Sequence, residues 1–138
     1  MLDCGVRPAS RTVSAADISA RLGVAPDAQL ERGSLLSPRN SNSGRRETSV
    51  WIRRSGLGDD RELVDHVTAL VGLVDGFREE LARLSNHCDL ELLLGFASEN
   101  GQGGFVLPAR LLSELGALGL DVVLDLYPPV PDEVVARG

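Results

Sequence analysis

Lysine is missing altogether from this chain: all fourteen basic residues are arginine. The bias points first to a GC-rich coding genome, and so to a bacterial source, and only second to chemistry. Cysteine is almost as scarce. Cys4 and Cys88 stand far apart, with no CxxC pair and no dense framework, so two reduced thiols are expected rather than a disulfide. Aromatics make up 4% of the residues, which leaves leucine and valine to build the core. No apolar run approaches the roughly 18–20 residues that span a bilayer, and MLDCGVRPASRT lacks the apolar centre of a secretory signal. The expected setting is the cytoplasm, away from membranes. A shortage of positive charge completes the list: net −6, with an isoelectric point near 4.8, repels phosphate backbones and excludes nucleic acid as the expected partner.

What is present suits a folded body. With 138 residues, 43% of them hydrophobic, the chain can bury enough surface to offset its ordering entropy, and one domain over 1–138 is expected, with a flexible loop at about 33–48. Residues 2–9 read as a weak first strand, because Pro8 cannot donate to a ladder. Ser14 and Asp17 then form a capping signal before Ile18 and Leu22, with Val13 against Ile18 as a staple, and Gly23 and Pro26 end that helix. The stretch GSLLSPRNSNSGRRET has no periodicity and reads as a mobile loop between two short strands. Ser49 to Arg54 alternates Val50 and Ile52 with Trp51 and Arg53, a strand with one face in the core.

Asp59 and Glu62 look like the cap of the longest helix, with Leu63, Val67, Leu70, Val74, Phe77, Leu81 and Leu84 as its seam. That seam needs a cover. Val64 and Val71 widen it beyond a coiled-coil stripe and Gly72 and Gly76 suit a coiled coil poorly, so the chain's own sheet is expected to supply the cover rather than a second subunit. Asp89 to Pro129 carries most of the fold signal. It reads as a strand with Leu90, Leu92, Leu94 and Phe96 on one face, a glycine turn at 99–104, and a return strand Phe105–Leu107 making a hairpin. A helix started by Pro108 follows, with Leu111, Leu112, Leu115 and Leu118 inward and Gly119 at its end, and then a last alternating strand. The expected class is α+β: a mostly antiparallel sheet of five or six strands with about three helices packed on one face.

The segments LELLLGF and GGFVLPARLLSELGALGLDVVLDLYP, preceded by SAADISARLGVAPD and a Trp-containing strand, resemble the bacterial domain of unknown function 4279 family over about residues 12–128. The shared motifs are structural. The resemblance implies the fold and transfers no activity. The chain departs from the pattern at its proline-containing first strand and in the Arg/Ser-rich loop, both at the expected left-hand edge of the sheet.

No constellation compels a chemistry. Asp121 and Asp125 share a strand face that Glu91 joins if the strands pair, but four residues along a strand separate the two aspartates by roughly 13 Å, too far for one ion. A solvated face is the expected reading. His87, Cys88 and Asp89 alternate sides and cannot chelate together; a packed Cys88 and a surface His66 account for the same letters. The Gly101–Gly104 turn is read as a hairpin, since no helix N-terminus follows it to hold a phosphate. Arg45, Arg46, Arg53 and Arg54 with Trp51 have the composition that interface hot spots favour; a solvated loop with a core Trp accounts for the same letters and is the favoured reading, but these five are the candidate binding residues, and no catalytic residue, metal or cofactor is expected. The leading functional expectation is a non-catalytic protein-interaction module, of immunity type among the options, that meets a basic partner. A small-molecule or anion-binding domain comes second, with the Arg/Trp segment closing over the ligand, and a hydrolase-like enzyme using Asp125, His66 or Cys88 comes third.

Overall fold

Ser14 starts the first helix, α1 (Ala15–Leu22), and accepts the Asp17 N–H at 3.0 Å; Gly23, at φ 69°, ends it in the left-handed conformation that a residue without Cβ adopts cheaply. The computed structural model describes residues 2–97 and 105–127 of the chain. Two further donors of that first turn, the Ala15 and Ala16 N–H groups, are taken by the Glu31 carboxylate at 2.6 and 3.2 Å. These bonds, that from Ala15 foremost, hold the Glu31 carboxyl below its ordinary range. Nothing local in the sequence announces this cap from a distance.

The remaining elements are β1 (Leu2–Ser10), β2 (Ala28–Leu30), β3 (Ser49–Arg54), α2 (Leu63–Asp75), α3 (Arg78–Leu84), β4 (Asp89–Ala97), α4 (Ala109–Ala117) and β5 (Asp121–Tyr127). They form an α+β structure with one five-stranded sheet in the order β2-β3-β1-β4-β5, antiparallel except where β4 and β5 run parallel.

The first strand is therefore central, not an edge. Its ladder to β4 runs unbroken from Leu2↔Phe96 to Ala9↔Asp89, whereas its ladder to β3 pairs Gly5↔Arg54 and Val6↔Arg53, omits Arg7 and Pro8, and resumes in the same register at Ala9↔Val50. The gap puts the donor that proline lacks on the β3 side, at the cost of a local break in one ladder rather than of the strand.

The long helical seam also differs from expectation in its backbone. All seven of its apolar residues are buried, but the rod breaks at Gly76–Phe77 into α2 and α3, with Phe77 at φ −132°, which makes four helices among the described residues. Glycine is a weak helix former, and although Gly76 keeps helical angles (φ −68°, ψ −20°), the break falls directly after it, at Phe77. Asp59–Arg61 lie outside the helix: the Arg61 N–H bonds back to the Gly58 carbonyl in a turn, and α2 starts after Glu62 with no side-chain cap.

Register shows what each face carries. Cys4, Val6, Trp51, Leu90, Leu92 and Leu94 share one side and join Ile18, Leu22, the seam, Leu111, Leu115 and Leu118 in a single core, so the helices cover that side. The other side carries Arg7, Val50, Ile52, Glu91, Leu93 and Val123, and none of these belongs to the core cluster. Leu112, expected inward, is exposed, since Leu111, Leu115 and Leu118 already use the inner face of α4.

One local expectation changes. Phe105–Leu107 is not a strand, and β4 reaches β5 through α4, as parallel neighbours require a long crossover; the expected glycine turn lies outside the described residues. The 33–48 stretch is a small hairpin with a Leu35↔Arg45 bridge and backbone bonds from Gly33 to Arg46 and from Leu36 to Gly44.

Candidate functional site

Trp51 is fully buried, its indole N–H donating to Ser19 Oγ at 2.9 Å, so it joins β3 to α1 and is no contact residue. This is the core Trp that the sequence favours over a contact residue, and it shares its strand face with buried Ser49. The four arginines do not converge around it. Arg45 donates to the Gly33 carbonyl, Arg53 to the Ala25 carbonyl with Asp27 4.0 Å away, and Arg54 to Asp3 at 3.0 Å. The Arg46 Nε is buried without a hydrogen-bond partner. These side chains brace the left half of the molecule, and the ligand-closing patch expected from composition has lost its aromatic centre.

His66, Cys88 and Asp125 lie apart. His66 is 2% exposed rather than on the surface: its Nδ1 lies 2.6 Å from Ser55 Oγ and its Nε2 3.1 Å from the Gly58 carbonyl. A carbonyl can only accept, so Nε2 carries hydrogen and, in the neutral ring, Nδ1 accepts from the Ser55 hydroxyl. With both nitrogens occupied, the imidazole staples the 55–58 turn onto α2. Ser55 and His66 line an open hollow of about 450 Å³ with Asp3, Cys4, Asp27 and Arg54. Cys4 supplies no thiolate there, since burial first and Asp3 second push its thiol up to about 11. Cys88 borders another hollow, of about 410 Å³, with Ser10 and exposed His87, and burial raises its thiol too. Among the described residues no three metal-type ligands cluster.

The carboxylates do meet through strand pairing. Glu91 lies beside Asp121 across the parallel ladder and is held by Arg7 at 2.5 Å, while Asp121 and Asp125 are exposed and pair with no cation among the described residues. On the helix side of the same strand, Val122, Leu124 and Leu126 align with Leu92, Leu94 and Phe96 yet are 41, 49 and 61% exposed. Here is the one long sheet margin among the described strands: β2, at the other end, has only three residues.

A family model for Domain of unknown function (DUF4279) matches residues 7–129, which takes in every helix and nearly the whole sheet. The chain belongs to this family. Comparison with curated proteins and with solved structures gave no match. In this DUF4279 chain the candidate site is thus a strand edge rather than a cleft. An edge strand offers unpaired backbone donors and acceptors in a row, and a half-exposed apolar ledge beside them gives an added strand something to bury. Sequence reasoning saw the alternation in β5 and not the exposure, because periodicity reports two faces without saying whether a helix reaches far enough to cover one.

Proposed function

We propose that this DUF4279 domain is a non-catalytic protein-interaction module that takes its partner by strand addition along β5. The observation that carries the reading is a seven-residue edge strand whose helix-side residues Val122, Leu124 and Leu126 stay about half exposed, although Leu92 and Leu94, the neighbours in register of the first two, are dry. Natural sheets blunt such margins with short strands or charged side chains; β2 is short, whereas β5 is long and carries its charges, Asp121 and Asp125, on the side opposite its apolar row. Main-chain bonds would supply affinity and the Val122-Leu124-Leu126 row would supply selectivity. No helix among the described residues is long and apolar enough to cross a membrane, and a bacterial cytoplasmic setting fits the reading.

The ligand-closing alternative loses support from the burial of Trp51, and the hydrolytic one from the dispersion of His66, Cys88 and Asp125. The test is affinity capture from the native host with parent and Leu124→Arg baits. A stoichiometric partner held by the parent and lost with the variant is expected. Recovery of the same protein by both baits, or of none by the parent, rejects the β5 reading.

A further inference from the structure

Rows across the sheet, followed from β1 through β4 to β5, state what a sixth strand would have to bring. On the helix side they run Val6–Leu92–Val122 and Cys4–Leu94–Leu124, apolar to the margin. On the uncovered side they run Arg7–Glu91–Asp121, Gly5–Leu93–Val123 and Asp3–Gly95–Asp125. Arg7 is spent on Glu91 and Arg54 on Asp3, so each charged row ends at β5 one cation short. Opposite charges side by side on neighbouring strands stabilise a sheet, and like charges destabilise it.

We infer that the partner strand at β5, if the strand-addition reading above holds, belongs to another protein and alternates apolar residues with arginine or lysine. Its apolar set packs on Val122, Leu124 and Leu126, and its cations face Asp121 and Asp125. A slip of one residue would set cations on the apolar ledge, so the alternation fixes register as well as sign. A second copy of this chain does not meet the specification: the edge strand DVVLDLY contains no cation, and each body carries a net charge of −6. That acidic field also speeds encounter with a basic chain.

Three end-blocked heptapeptides test the inference by calorimetry and by hydrogen exchange at the β5 amides: alternating Arg/Val, the same residues in two blocks, and alternating Thr/Val. The alternating Arg/Val peptide should bind one per chain and about tenfold tighter than the block peptide, a gap that pairing and register together supply. Asp121→Asn with Asp125→Asn should weaken it about fivefold and flatten its salt dependence. Equal binding of the block peptide, or an unweakened double variant, overturns the inference. Thr/Val binding as tightly as Arg/Val keeps the β5 edge and removes the basic partner. If no peptide protects the β5 amides, or if they are already protected in the free chain at every concentration, both readings fall.

Discussion

Cys4, Leu94 and Leu124 lie side by side across three neighbouring strands, on the same side of the sheet, and are 3, 1 and 49% exposed. One row crosses from dry interior to open water within two strand spacings of about 4.8 Å each. The residues at 94 and 124 are both leucine, so neither hydropathy nor strand propensity separates them. What differs, among the described residues, is overhead cover: α2 packs on β1 and α4 packs on α2, and Leu94 joins the core that these helices form whereas Leu124 does not. Burial of a side chain is set by what lies above it, and a sequence describes only the side chain.

The largest expected difference along this row is chemical. In a Leu124→Cys variant the new thiol should react with a soluble disulfide reagent at least about a hundredfold faster than Cys4 at neutral pH, since a thiol pKa near 11 leaves Cys4 about a hundredth of the ordinary thiolate before burial slows it further. One fast thiol per chain is the outcome; no fast thiol would mean that the ledge is covered. Stability follows the same contrast. Leu94→Ala should lose about 2–5 kcal/mol in urea unfolding, while Leu124→Ala should lose less than about 1 kcal/mol. Equal losses would erase the distinction between the two leucines.

Trp51→Phe extends the test to the far side of the covered layer, where loss of indole volume and of the bond to Ser19 should cost about 1–3 kcal/mol. The Arg54→Ala change, on an exposed ion pair, should cost under about 1 kcal/mol. A comparably small effect concerns the fixing of α1. Glu31→Ala should cost about 1 kcal/mol, the ordinary worth of a helix cap. Because the folded Glu31 carboxyl titrates below its unfolded value, its contribution is complete above about pH 4.5 and disappears as pH falls through the folded value. Parent and variant stabilities should therefore converge in acid; parallel curves down to pH 2 would show that the carboxylate charge is not what holds α1.

Most of the fold is legible where a local rule determines the structure. Ser14 and Gly23 bound α1 as their chemistry requires, β3 and β4 keep their expected limits, and the seam from Leu63 to Leu84 is buried throughout. The misreadings fall where a distant group decides. Pro8 argues against a central strand until β4 pairs that strand along its length. The cap signal at Asp59 gives way to a turn tied to His66, and part of the α1 cap comes from Glu31, a residue that no local pattern singles out. The candidate site was hardest of all. Arginines next to a tryptophan stand out in a sequence, whereas a strand left uncovered at a margin is written in no residue.

The central place of β1 has a further consequence. Its partners are Ser49–Arg54 and Asp89–Ala97, so the ribosome makes this segment before either of them and its pairing is complete only once β4 has followed. Closing so many distant pairings should put folding in the millisecond-to-second range rather than the microseconds of local topologies. During that wait the nascent Leu2–Ser10 segment is open to chance pairing, and a proline that forbids one of its ladder bonds makes it a poorer template for the wrong neighbour.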